Sequence, residues 1–197
     1  MSDNYYSNNS KEFIESTINC DMSNVYAFFE KYIDKDAKTL LDIGFGSGRD
    51  SLYFSKKYKV TSIDPTEEFC EYGKSIGLNN VLCITAQDME FNNEFDAIWA
   101  CASLLHVPSN ELPEVFNKCY KALKPNGVMY CSFKYGEYEG ERKGRFFVDL
   151  TENSFNELIK DTDFQIIDTL ITEDVRPDRI EKWLNIVIKK YTKNVVF

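Results

Sequence analysis

Apolar positions along this chain follow two patterns that alternate. Continuous apolar runs fall at about 39–43 (TLLDI), 59–63 (KVTSI), 80–85 (NVLCIT), 95–101 (FDAIWAC), 127–133 (GVMYCSF), 164–171 (FQIIDTLI) and 183–188 (WLNIVI). Their length and composition predict buried strands. Between them lie stretches of helical period. Val25, Phe28, Phe29, Tyr32 and Ile33 share one face before the first strand. Leu112, Val115, Phe116, Cys119 and Leu123 share another, and Phe155, Leu158 and Ile159 mark a third, shorter helix. Asp64-Pro65-Thr66-Glu67 reads as a helix start, and Lys124-Pro125-Asn126-Gly127 as a turn separating helix from strand.

Strand and helix in alternation, with strands apolar on both faces, predict an α/β fold: a doubly wound, mostly parallel sheet of seven strands. The last two strand runs have no clear helix between them. They predict a terminal hairpin, and so one antiparallel strand near the C-terminus. No repeat, low-complexity tract or Gly/Ser linker interrupts the chain, so residues 21–197 are expected to form one domain behind a leader at 1–20.

Composition narrows the functional classes. With 197 residues there is room for one well-buried domain. Acids outnumber bases 32 to 23, for a formal charge of −9. Such a surface repels phosphate backbones, so a nucleic-acid partner is not expected. No apolar run reaches bilayer length and the start, MSDNYYSNNSKEF, is polar, so neither a membrane partner nor secretion is expected. The six cysteines are scattered without C-x-x-C pairs, and several lie in core-like runs. They read as free thiols of a cytoplasmic protein. With one histidine, His106, no metal site is expected. Oligomeric state is not legible here.

The most informative stretch is Asp42-Ile43-Gly44-Phe45-Gly46-Ser47-Gly48-Arg49-Asp50, where a buried strand meets three glycines at alternate positions and then a helix. Glycines let the backbone turn sharply and approach a ligand closely, and the helix amides favour an anion. The dinucleotide fingerprint G-x-G-x-x-G would need a glycine where Arg49 stands. A second strand ends in Asp64, 20 residues after Gly44, where a carboxylate can accept from ribose hydroxyls; NAD(P)-dependent oxidoreductases use the same device.

The spacing D-x-G-x-G-x-G resembles the first motif of the class I methyltransferases, a Rossmann-like family that uses S-adenosylmethionine and releases S-adenosylhomocysteine. Three later segments resemble that family in order: Ser62-Ile63-Asp64, Ala86-Gln87-Asp88-Met89-Glu90, and Cys101 through Pro108. Lys124-Pro125-Asn126-Gly127 is similar to the family's L-K-P-G-G turn, with Asn126 as the residue best able to replace a glycine at positive φ. Residues 46–54 look most like the small tellurite-resistance-type branch. The resemblance implies that Gly44, Gly46 and Gly48 hold the methionine end of the cofactor, that Asp42 engages its amino group and that Arg49 serves its carboxylate. It implies further that Asp64, beside Pro65, takes the ribose, that Asp88 and the Met89 amide take the adenine, and that the segment from Cys101 flanks the sulfonium.

Methyl transfer from a sulfonium is an in-line displacement in which alignment and exclusion of water dominate. His106, beyond the fourth strand, is the candidate base. Residues 133–147 read as a long loop carrying Lys134, Arg142 and Arg145, expected to receive an anionic group of a small-molecule acceptor. Tyr5 and Tyr6 on the polar leader are expected to close over the site as a lid. Arg176-Pro177-Asp178-Arg179 is a weaker candidate for the same cleft. The expectation is therefore a methyltransferase of a small, anionic acceptor. The alternatives are an NAD(P)-dependent oxidoreductase and a non-catalytic module that binds S-adenosylmethionine.

Overall fold

A computed structural model describes residues 3–176 and 179–191, so Pro177 and Asp178 lie outside the described residues. Its centre is a seven-stranded sheet whose strands coincide with the seven apolar runs. In chain order these are β1 (Thr39–Ile43), β2 (Lys59–Ile63), β3 (Val81–Leu82), β4 (Phe95–Ala100), β5 (Leu123–Lys134), β8 (Phe164–Glu173) and β9 (Lys182–Lys190). They lie in the order β3-β2-β1-β4-β5-β9-β8. β9 runs antiparallel to both neighbours, and the remaining pairs are parallel. The expected doubly wound sheet with one antiparallel strand is thus the class I methyltransferase architecture.

Helices cover both faces: α1 (Asp3–Thr17), α2 (Ser23–Glu30), α3 (Arg49–Phe54), α4 (Glu67–Ser75), α5 (Leu112–Ala122) and α6 (Glu152–Ile159). On one face Phe29 and Phe54 close over Trp99 and Tyr130, whose rings stack at 4.0 Å. On the other, Val115, Phe116 and Cys119 of α5 and Phe155 of α6 pack over Ile98, Met129 and Cys131. The predicted helical face at Val25–Ile33 ends at Glu30 because the chain tightens there: Tyr32 N bonds Phe29 O and Ile33 N bonds Glu30 O. The 124–127 turn sits inside β5 as a bulge. Phe95 pairs with Leu123 and Ala97 with Val128, and Asn126 takes φ +65° as expected.

One expectation fails. The segment after β5 is not a long loop but a second, two-stranded sheet, β6 (Glu139–Arg142) against β7 (Arg145–Val148). Lys143 and Gly144 connect them with φ +51° and +75°, the two left-handed residues of a tight hairpin. The polar leader forms helix α1 from Asp3, with a kink at Asn9.

Candidate functional site

Two adjoining cavities open at the C-terminal ends of β1, β2, β4 and β5, where ligands bind in open α/β sheets. Tyr6, Phe13, Gly44, Gly46, Ala102 and His106 line both and so form the partition between them.

The cofactor-side cavity is walled by Gly44, Asp64, Pro65, Ser103 and the 84–87 segment. Gly44 has φ +71°, and a Cβ there would stand 2.4 Å from the Ser103 Cβ. At Gly46 (φ +51°) it would stand 2.8 Å from the Phe13 ring. Only glycine fits this cradle. Asp64, at the end of β2, accepts from the Gly46 amide at 3.1 Å and the Thr66 amide at 2.9 Å, which fixes its carboxylate at the cavity wall. The Ser103 hydroxyl is buried without a hydrogen-bond partner and lines the same space. A glycine cradle, a fixed carboxylate and an orphaned hydroxyl fit a bound nucleoside with its polar tail.

Other residues expected around the cofactor do not line this first cavity. Gly48 caps α3, and its Cβ position faces Ile76 and Leu78. Asp42 is 1% exposed and accepts from Ser51 at 2.6 Å, behind the loop. Burial, and then the charge of Asp50, push its carboxyl well above the usual range. Asp88 is exposed and accepts from Thr85 at 2.6 Å, while Met89 lies in the core; Ala86 and Gln87 line the cavity instead. Arg49 lines the second cavity but forks onto Asp50, at 2.7 Å and 3.0 Å. Burial works against the charge of Asp50, yet Arg49 and donors from Tyr26 and Trp99 hold it below the ordinary carboxylate range. Cys101 lines that cavity, with burial and Asp50 pushing its thiol up to about 12.

The second cavity lies under α1. His106 sits in a 3₁₀ turn (Leu104–His106) just beyond β4. Its Nδ1 stands 2.6 Å from the Phe146 carbonyl, which only accepts, so Nδ1 carries the ring proton. Nε2 then accepts from the Tyr6 hydroxyl at 2.7 Å. Burial above all, then the charges of Arg145 and Lys134, pull the imidazole down to about 4. It is neutral at physiological pH, with a basic nitrogen aimed at the partition.

The three cations expected for the acceptor all approach one ring, Phe147 of β7. Their surroundings differ. Lys134 pairs with Glu181 at 2.7 Å, and Arg142 pairs with Asp149 outside either cavity. Arg145 lines the cavity, lies over the Tyr5 ring at 4.6 Å and donates to the Tyr6 hydroxyl at 3.3 Å. Its Nε is buried without a hydrogen-bond partner, and no carboxylate pairs with it among the described residues. Sequence reasoning missed Phe13, and Trp183 of β9, which lines the second cavity; Ser103 fell within the expected 101–108 segment without being singled out. Phe13 and Trp183 meet the site through long-range packing, for which no local signal exists.

Comparison with other proteins places this geometry. Residues 40–127 match the family described as "Methyltransferase domain". Phosphoethanolamine N-methyltransferase of Plasmodium falciparum is 31% identical over 115 residues, 53% of this chain and 43% of that protein. Alpha N-terminal protein methyltransferase 1 of Dictyostelium discoideum is 27% identical over 123 residues, 58% of this chain and 43% of that protein. The chain thus spans less than half the length of these two relatives. Among solved structures, 1,6-didemethyltoxoflavin-N1-methyltransferase of Burkholderia thailandensis, with 1,6-didemethyltoxoflavin and S-adenosylhomocysteine bound, shares the fold. Its TM-score is 0.79 at 20% identity, covering 97% of this chain and 87% of that one. Residues 40–127 thus match a methyltransferase domain, and the chain shares the fold of a methyltransferase solved with S-adenosylhomocysteine bound. The relatives act on unlike acceptors, so the acceptor must be argued from the site itself. No described helix is long and apolar enough to cross a membrane.

Proposed function

We propose that this protein methylates a small acceptor bearing an anionic group, in the chamber under α1. S-adenosylmethionine, held by the Gly44–Gly46 cradle and Asp64, supplies an electrophilic methyl group. The observation that carries the acceptor reading is Arg145, a cation on the chamber wall held by aromatic rings rather than by a carboxylate. It keeps its full charge for a ligand, whereas Lys134 and Arg142 are already neutralised by Glu181 and Asp149. The relative that acts on phosphoethanolamine, a small phosphate ester, agrees in charge type.

The chain's own groups have distinct tasks in this reading. Arg145 orients the acceptor. α1 excludes water by laying Tyr6 and Phe13 across the partition. His106 Nε2 accepts the proton that an acceptor hydroxyl or amine loses, through the Tyr6 hydroxyl that now occupies it. The test is a screen of anionic, neutral and cationic small acceptors, read by release of S-adenosylhomocysteine. Turnover confined to anionic acceptors, with KM raised and cofactor affinity kept in Arg145→Ala, supports the reading. Equal turnover of neutral analogues removes it. Tight cofactor binding with no turnover of any acceptor would favour the non-catalytic binding module.

A further inference from the structure

A pair of thiols outside the chamber flanks the turn that holds Asp64. Cys70, on α4, is 2% exposed, and its Sγ donates to the Asp64 carbonyl at 3.3 Å and to the Leu82 carbonyl at 3.9 Å. Cys83 follows β3 directly, is exposed, and donates to the Pro65 carbonyl at 3.5 Å. The two thiols therefore hang on adjacent carbonyls of one turn. Burial, and then Cys83, push the Cys70 thiol up to about 12. Cys83 is accordingly the sulfur that meets an oxidant, and Cys70 the sulfur behind it.

We propose that Cys70 and Cys83 are a modification site for hydroperoxides, joined by oxidation into a reversible disulfide that loosens cofactor binding. The Cys83 thiolate attacks the peroxide oxygen, the O–O bond breaks, and with hydrogen peroxide one water leaves as Cys83 becomes a sulfenic acid. The Cys70 sulfur then displaces that hydroxyl as a second water, and its thiol proton leaves with it. The sulfurs together lose two electrons and the peroxide gains them. An S–S bond of about 2 Å is far shorter than a thiol–thiol contact, so the bridge must draw residue 83 toward α4. Ile84 and Thr85 follow immediately and form the cofactor-side wall opposite Asp64 and Pro65. β3 contributes only two residues to the sheet edge and gives that segment little resistance. The effect on binding rests on the cofactor reading above; formation of the disulfide does not.

The full chain treated with hydrogen peroxide, alkylated and mapped by mass spectrometry without reductant should yield one linked peptide pair, Cys70 with Cys83. Calorimetric affinity for S-adenosylhomocysteine should fall several-fold and return with dithiothreitol. Cys83→Ser, at an exposed position, should keep the affinity of the reduced protein and lose both the link and the peroxide response. Oxidation of Cys83 to sulfinic acid alone, or linkage between other cysteines, would overturn the site. The expected link with unchanged affinity would overturn its coupling to the cofactor. A reduced protein that never binds S-adenosylhomocysteine would remove the cofactor reading, while the mapped peptide still decides the disulfide.

Discussion

The two halves of the site are built in different ways. The proposed cofactor side comes from consecutive βα turns, after β1, β2, β3 and β4, each placing its residues within a few positions of a strand end. The proposed acceptor side is assembled from α1, the turn after β4, the β6–β7 hairpin and the ends of β5 and β9, so Tyr6, His106, Lys134, Arg145 and Trp183 meet across most of the chain. A half made of local turns is fixed when the sheet forms. A half made of distant pieces depends on each piece docking, and substitutions there should change the acceptor while leaving the cofactor in place.

The largest effect is expected on the cofactor side. Gly44→Ala forces a Cβ to 2.4 Å from Ser103 and a side chain onto φ +71°. Backbone strain of that kind costs about 1–3 kcal/mol before the clash is relieved. Binding of S-adenosylhomocysteine should be lost by calorimetry while the circular dichroism of the sheet persists. Asp64→Ala, which removes a charged acceptor, should weaken it by about 1.5–3 kcal/mol. Binding within a few tenths of wild type in either variant would mean the cofactor lies elsewhere.

Arg145→Ala should divide the halves most cleanly. Loss of a charged hydrogen bond of about 1.5–3 kcal/mol corresponds to a tenfold or greater rise in acceptor KM. The affinity for S-adenosylhomocysteine should not move. Arg142→Ala, whose guanidinium is bound to Asp149 outside the cavities, should leave acceptor KM alone and lower stability instead. If both variants raise KM equally, the distinction between a free and a neutralised cation fails.

How far each half was legible follows from the same difference. The strand ends and the glycine loop could be read because their signals span a few residues: an apolar run, a glycine at a forced φ, an acid at a fixed distance. Even there the placement is not legible: Ala86 and Gln87 line the cavity while Asp88 is exposed and Met89 lies in the core, because backbone register decides which residues face it. The hairpin at 139–148 was read as loop. Its charged strands lie outside the main sheet and alternate without a strongly apolar face, and its turn is Lys-Gly rather than Asn-Gly. Tyr6 and His106 were each singled out from the sequence, but their contact with each other, a hundred residues apart, was not legible.

A smaller effect concerns pH. The unfolded imidazole of His106 titrates near its ordinary 6.5 and the folded one near about 4. Between those values the unfolded chain binds the extra proton, so stability present at pH 7 declines as pH falls through that window and levels off below it. The contribution is about 3 kcal/mol. His106→Asn, which can still donate to the Phe146 carbonyl but does not titrate, should flatten urea-unfolding stability between pH 6.5 and 4. An unchanged slope would mean that His106 is not buried in solution as it is here.

The smallest effect turns the least legible element into a readable one. Lys143 holds φ +51° at the first position of the two-residue hairpin turn, followed by Gly144 at +75°. A left-handed conformation costs an ordinary L-residue about 1–2 kcal/mol, and asparagine recovers part of this through local hydrogen bonding. Lys143→Asn should therefore raise the melting temperature by a degree or two, a gain of a few tenths of a kcal/mol. Because the hairpin carries Arg145 and the Phe146 carbonyl that orients His106, a firmer turn should also lower acceptor KM slightly. The affinity for S-adenosylhomocysteine should stay the same, since the hairpin contributes only Glu141 and Phe146 to the rim of that cavity. A change in cofactor affinity with none in KM would reverse the assignment of the hairpin to the acceptor side.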